Sequence, residues 1–147
     1  GSAGAFGYET PLEGRPTYEA IHASGRHHVA QDLASVGRDA PHQLVEGVAR
    51  MLERVGVAGA DVSRFLLGIP GRRFMTDDVK AFFRRRVGAD PDLAPFDIED
   101  FGYCGGATIF VQLDRLLRGP GLRAGELVAA YLEESSKWMS GGFVVRG

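Results

Sequence analysis

The sequence predicts an α/β domain in which a mostly parallel, mixed sheet lies between helices on both faces. Two observations lead to this prediction. Segments with the apolar spacing of a helix alternate along the chain with short strand-like runs, and one of these runs is apolar enough for a strand buried on both faces. The chain has 147 residues, of which 44% are hydrophobic, so it is long enough for one domain with a hydrophobic core.

The first predicted elements are two strands and a helix. Residues 1–12 form a glycine-rich loop that runs into a short strand, and the alternating segment TYEAIHA (17–23) is a second strand that ends at a Ser-Gly turn. The segment 42–57 has apolar residues at the spacing of one helix face, and Gly56 closes it. These apolar residues are Leu44, Val45, Val48, Met51, Leu52 and Val55.

A strand, a helix and a further strand are predicted in the middle of the chain. The run VSRFLLGI (62–69) is typical of a buried parallel strand. Thr76 is a good helix N-cap, and two aspartates follow it in the first turn, where the helix dipole favours acids. We expect this helix to reach Val87 and the segment PFDIEDF (95–101) to form a short strand.

The last part of the chain predicts one helix and two strands. A glycine turn at 102–106 opens an apolar helix that continues to residue 117, and the segments 126–135 and 141–147 are the two strands. The residues of this helix that we expect to face the core are Ile109, Phe110, Leu113, Leu116 and Leu117.

Composition and charge exclude several classes of protein. A formal net charge of −2 gives no indication of a nucleic-acid or membrane-surface partner. No apolar run approaches the roughly 20 residues of a spanning helix, and no signal peptide is visible. The single cysteine predicts a reducing, cytoplasmic compartment. Because the chain begins with Gly1, we expect a segment of a longer polypeptide or a cut tag.

Four segments of the sequence, taken together, resemble one protein family. They are GSAGAFGYE at the start, GADVSRFLLGIPGRRF, DFGYCGGATIFVQLDRLLRGPGLRAGELV and SGGFVVRG at the end. Their order and glycine positions resemble the C-terminal half of thiolase-fold condensing enzymes of the ketoacyl-acyl-carrier-protein synthase III family. The resemblance implies a thiolase-like half-domain over residues 1–147 that begins near the end of the family's N-terminal half.

The resemblance also implies where the reaction centre lies. In the family a histidine and an asparagine of this half donate hydrogen bonds to the thioester carbonyl oxygen, and the nucleophilic cysteine belongs to the N-terminal half. The histidine position falls at Gly68, an asparagine after it at Gly71, and the asparagine of the glycine turn at Tyr103. Gly68 has no side chain to donate, whereas Tyr103 can donate from a longer arm. Loss of one oxyanion donor costs about 3–4 kcal/mol of transition-state stabilisation.

Cys104 is a second candidate for chemistry, because it stands in the glycine turn that opens a helix. A cysteine at a helix N-terminus is often a nucleophile. The resemblance instead places Cys104 one residue after the asparagine position and away from the family's nucleophile. We therefore interpret it as a small residue in a tight turn, with a relocated nucleophile as the alternative.

The remaining candidates concern binding. By resemblance, Pro70, Gly71, Arg72 and Arg73 belong to the substrate-binding segment, and a basic residue at the Arg73 position docks the acidic carrier protein; ordinary surface charge is the alternative. Adjacent His27 and His28 have no partners at metal-ligand spacing, so we predict no metal site. We expect no cofactor beyond the acyl-CoA or phosphopantetheine thioester that serves as substrate.

The functional hypothesis is therefore the C-terminal half of an acyltransferase of the ketosynthase III type, which lacks the standard His/Asn pair. It requires an N-terminal thiolase-like half, in the same chain or in a second subunit, and we expect a dimer. A non-catalytic subunit of a heterodimeric condensing enzyme is the alternative, and a condensing enzyme that uses Tyr103 as its donor is a third possibility.

Overall fold

The structure of the chain, a computed structural model, describes residues 33–94, 97–134 and 139–147. The strands predicted in 1–12 and 17–23 lie outside the described residues, as do His27 and His28.

Helix α1, Leu33–Val55, is longer than predicted at its start. The prediction began at residue 42 because the apolar spacing begins there, whereas the structure continues the helix back through Pro41 to Leu33. The face that follows Pro41 carries the expected apolar spacing and is buried. Its buried residues are Leu44, Val45, Val48, Ala49 and Leu52.

Strand β1, Val62–Gly68, and helix α2, Asp77–Val87, agree with the sequence prediction. The Thr76 side chain accepts a hydrogen bond from the backbone N–H of Val79 at 3.4 Å. At the other end of α2, Gly88 adopts a left-handed conformation with φ of 76°, which few other residues tolerate. Both ends of this helix are therefore determined by the residues next to them in the sequence.

The strand predicted over 95–101 is wrong, because the structure contains a single helical turn, α3 (Ile98–Phe101), in that segment. Ile98 is buried and the next two residues, Glu99 and Asp100, are exposed, so the alternation that a strand requires is absent. Acids in the first turn also suit a helix N-terminus.

Helix α4, Thr108–Arg118, follows a short 3₁₀ turn at Gly105–Ala107. Strands β2, Leu127–Glu134, and β3, Met139–Arg146, complete the described chain. The three described strands form one sheet in the order β1-β2-β3, with β1 and β2 parallel and β2 and β3 antiparallel. The sheet is therefore mixed, as predicted.

The two faces of the sheet pack against different helices. Phe65, Leu67, Ala129 and Tyr131 belong to the core that contains α1 and α2. The alternate residues of the strands pack with Ile109 and Leu116 of α4; they are Leu66, Val128 and Ala130. Helices on both faces of a mixed sheet confirm the predicted α/β class. In the part of the chain that the structure describes, no helix is long and apolar enough to cross a membrane.

Candidate functional site

The candidate site is a small cavity of about 80 Å³ at the carboxyl ends of the parallel strands β1 and β2. Ligands of open α/β sheets bind at this edge, because the loops that follow the strands meet there. The walls are mainly apolar and come from α1, from the segment after β1 and from α2; they are Val36, Ala40, Pro41, Leu44, Ile69, Pro70, Phe74 and Val79. Gly68, Tyr103 and Glu133 also line the cavity.

Gly68, the position of the family histidine, is the last residue of β1 and pairs with Leu132 of β2. A Cβ atom added to Gly68 would overlap the Leu132 side chain, so Leu132 occupies the space in which a larger side chain at position 68 would begin. Position 68 therefore offers no side-chain donor, and the space beside it is filled by an apolar group.

Tyr103, the position of the family asparagine, lies in the loop between α3 and α4, and its side chain is 44% exposed. The pKa of Tyr103 is raised, first because part of the ring is buried and then because of the negative charges of Glu134 and Glu133. The phenol therefore stays protonated at neutral pH, and its hydroxyl remains a hydrogen-bond donor.

The loop that carries Tyr103 is held in place through α3 and α4. Arg115 of α4 forms ion pairs with Asp97, at 2.9 Å, and with Asp100, at 3.3 Å. The guanidinium of Arg115 also lies over the ring of Phe101, 5.5 Å from its centroid. These contacts fix the single turn of α3 next to α4, and the chain enters the Tyr103 loop directly after α3.

Glu133 is the one ionisable group of the cavity that the sequence analysis missed. Both oxygens of its carboxyl group are buried, and neither has a hydrogen-bond partner among the described residues. Burial raises the pKa of this carboxyl from 4.5 to about 7. Glu133 therefore changes charge close to neutral pH, which is where a general acid or base works best.

A sequence signal for Glu133 existed but was not used. The segment LEESSKW (132–138) contains two adjacent glutamates, and the sequence analysis assigned a role to neither. An acidic residue two positions after the buried run Leu127–Tyr131 lies at the end of a buried strand, where a cleft is expected.

Cys104 does not line the cavity. Its side chain is exposed, and its thiol lies 3.6 Å from the carbonyl oxygen of Gly102. Its backbone N–H donates a hydrogen bond to the Thr108 hydroxyl at 3.0 Å, which ties the turn to the start of α4. The one histidine of the described residues, His42, packs against the ring of Phe82.

The predicted substrate-binding segment divides into two parts. Pro70 lines the cavity, whereas Arg72 and Arg73 are exposed at its outer side. Arg72 lies 3.8 Å from Glu99 of α3, and Arg73 lies over the ring of Phe74. Gly71 adopts an extended conformation with φ of 158°. Within the described ranges, no group of three or more His, Cys, Asp or Glu side chains is arranged to hold a metal ion.

The described fold is similar to that of thiolase-fold condensing enzymes of the ketoacyl-acyl-carrier-protein synthase III type. Solved structures of this class match the described fold. No protein-family model matches the chain, and no curated protein sequence matches it at a significant level.

Three of the similar structures illustrate the match. The 3-oxoacyl-(acyl carrier protein) synthase III (FabH) of Pseudomonas aeruginosa has 21% identity and a TM-score of 0.63, over 86% of this chain and 38% of that enzyme. A tetronic acid condensing enzyme has 25% identity and a TM-score of 0.61, over 83% and 38%. The priming β-ketosynthase of a polyketide biosynthetic pathway has 19% identity and a TM-score of 0.66, over 89% and 39%.

This chain therefore spans well under half the length of the enzymes that it resembles. The resemblance predicted from the sequence is confirmed at the level of the fold, and the coverage is that of a half-domain.

Proposed function

We propose that this chain is the C-terminal half of an acyltransferase of the ketosynthase III type, which acts on acyl-CoA or acyl-carrier-protein thioesters. In this proposal it lacks the His/Asn oxyanion pair and depends on an N-terminal half for the cysteine nucleophile. One observation carries the proposal: two ionisable groups, Tyr103 and Glu133, line one cavity with Gly68, the position that the resemblance aligns with the family histidine, where Leu132 fills the space of a side chain.

The filled histidine site argues against carbon–carbon condensation by the usual route. Decarboxylation of a malonyl group produces an enolate whose oxygen must be stabilised by donors, and Gly68 supplies none. Each missing donor costs about 3–4 kcal/mol. Transfer of an acyl group to a hydroxyl, amine or thiol involves no enolate, so the loss of one donor harms it less.

The ionisable groups of the cavity argue against a purely structural role. A buried carboxyl group without a hydrogen-bond partner lowers the stability of the fold, so such groups are rare outside functional sites. Glu133 has no such partner among the described residues, and it shares a cavity with a tyrosine that can donate. The buried carboxyl group and the tyrosine hydroxyl in one cavity together favour an active site over a filled, inactive one.

The need for a second half is supported by the surface of α4. The expectation that Phe110 and Leu117 face the core is wrong: they are 58% and 54% exposed, so these large apolar side chains of one helix are only partly covered by the described residues. Such a surface favours association. A second half, in the same polypeptide or in another subunit, would cover it.

A non-catalytic subunit of a heterodimeric condensing enzyme is the second candidate, favoured by the loss of the donor at Gly68. Incubation of the complete polypeptide or complex with hexanoyl-CoA, followed by intact-protein and peptide mass spectrometry, separates the two candidates. The acyltransferase proposal expects a hexanoyl group on a cysteine of the complementary half. Absence of acylation on every cysteine, under conditions in which a related synthase III is acylated, would leave only the subunit role.

A further inference from the structure

We infer that Glu133 is the general base for a hydroxyl-bearing acceptor, so that the site transfers its acyl group to an alcohol oxygen. The inference rests on the proposed function and extends it by naming the acceptor class and the residue that activates the acceptor. It starts from three features of the structure: a cavity, a carboxyl group that lines it and whose two buried oxygens have no hydrogen-bond partner among the described residues, and Tyr103 as a second polar group of the same cavity.

The surroundings of Glu133 leave its carboxylate available to a ligand. The cavity walls that α1 and α2 contribute are apolar, and the residue that β3 pairs with Glu133 is Ser140. Among the described residues, Tyr103 is close enough to Glu133 for the negative charge of the carboxylate to raise the pKa of the phenol, and Glu134 is adjacent along the strand. Apart from Glu133, no charged side chain of the described residues lines the cavity.

The chemistry of the carboxyl group selects a hydroxyl over the other acceptors. An amine is an ammonium ion at neutral pH and has no free electron pair, so it must lose a proton before it can attack, and a base that acts during the attack does not help it. A thiol ionises more readily by itself and yields another thioester. An alcohol is a weak nucleophile that needs its proton removed as it attacks, which a buried carboxylate of this pKa can do.

The reaction balances without any further reagent. The alcohol oxygen attacks the thioester carbonyl carbon of the acylated cysteine while its proton moves to a carboxylate oxygen of Glu133. The tetrahedral intermediate then expels the thiolate as the carbon–sulfur bond breaks. Glu133 returns its proton to the thiolate, which leaves an ester, a free thiol and an ionised glutamate. Tyr103 is placed at the same cavity as a donor to the carbonyl oxygen.

The test measures how fast the hexanoyl-enzyme loses its acyl group. The complete polypeptide or complex is acylated with hexanoyl-CoA and freed from excess donor. Its discharge is then followed by intact-protein mass spectrometry with 1-propanol, propylamine or buffer alone. Three proteins are compared: the natural sequence, Glu133→Gln, and the matched control Glu134→Gln, which changes the neighbouring glutamate on the opposite face of β2.

We expect 1-propanol to accelerate discharge and hexanoyl propyl ester to accumulate. Glu133→Gln should lower the propanol-dependent rate by roughly 10²–10⁴ and abolish its rise with pH, because a general base contributes about that factor. Acylation itself should be unchanged, which also shows that the variant is folded. Glu134→Gln should stay within about twofold of the natural protein, since the control does not touch the proposed base.

Each other outcome has a defined meaning. Failure of acylation in the natural protein overturns the proposed function and this inference with it. Normal acylation with propanol-dependent discharge that is unchanged in Glu133→Gln overturns only the inference, as does discharge by propylamine in preference to propanol. If Glu133→Gln does not fold, the natural protein still decides: a propanol-dependent rate that is flat between pH 5.5 and 8.5 excludes a base of this kind.

Discussion

The substitution Glu133→Gln should stabilise the folded protein above neutral pH. The carboxyl group of Glu133 is buried without a hydrogen-bond partner, and burial raises its pKa from 4.5 to about 7. Between these two pH values the folded state binds more protons than the unfolded state. The free energy of unfolding therefore falls as pH rises through this window and levels off above it.

The size of this effect follows from the shift in pKa. A rise from 4.5 to about 7 sets an upper limit of about 3 kcal/mol on the stability lost at high pH. Partial solvent access of the residue reduces this to roughly 1–2 kcal/mol. A glutamine amide carries no charge at any of these pH values, so the variant avoids this loss.

The assay is urea unfolding, followed by circular dichroism at pH 4.5, 6, 7 and 8.5, on the complete polypeptide or complex. Natural protein and Glu133→Gln should agree within about 0.5 kcal/mol at pH 4.5 and diverge to roughly 1–2 kcal/mol at pH 8.5, with the variant more stable. Glu134→Gln is the control for the loss of one carboxylate from the same strand. Equal stability at pH 8.5, or a less stable variant, would mean that the carboxylate has a partner and would refute the reasoning.

Three further predictions concern the remaining residues of the site. Tyr103→Phe should lower acyl-transfer turnover about tenfold or more because a carbonyl donor is lost, and an unchanged turnover in a steady-state assay would remove Tyr103 from the mechanism. Gly68→His should lower the free energy of unfolding by about 1–3 kcal/mol through overlap with Leu132, and Leu132→Ala in the same protein should relieve most of this loss. If the double variant loses as much stability as the two single variants lose together, the overlap between positions 68 and 132 is contradicted. Arg73→Glu should weaken binding of acyl carrier protein in titrations at low salt and have less effect at high salt. The control Arg54→Glu, at the far end of α1, should leave this binding unchanged.

Local signals in the sequence were sufficient to predict much of the fold. Helix α2 was predicted correctly because its N-cap, Thr76, and its closing glycine, Gly88, lie within the helix's own neighbourhood. The apolar runs of β1 and β2 were equally clear because both strands are buried. The early start of α1 was missed because the apolar spacing begins only at residue 42, whereas the helix continues back through Pro41 to Leu33.

The site was only partly predictable. Gly68 and Tyr103 came from the family resemblance, and the structure places both on one cavity, although nothing local in the sequence connects residues so far apart. The sequence places Glu133 at a strand end, but its raised pKa required the three-dimensional structure, because it depends on the burial of the carboxyl oxygens and on the absence of a hydrogen-bond partner among the described residues. A glutamate at the end of a strand is normally solvated, and only packing distinguishes this one.

Leu132 and Glu133 are adjacent in β2 but belong to opposite faces of the sheet. Leu132 points toward the α4 side, where it fills the space beside Gly68, while Glu133 points toward α1 and lines the cavity. One step along a strand moves a side chain from one face to the other, so the space beside Gly68 can be filled on one face without closing the cavity on the other. A position without a side-chain donor and a buried carboxyl group are therefore compatible within one strand end. That compatibility supports the proposed acyltransferase over the non-catalytic subunit, because the cavity that holds the proposed base stays open.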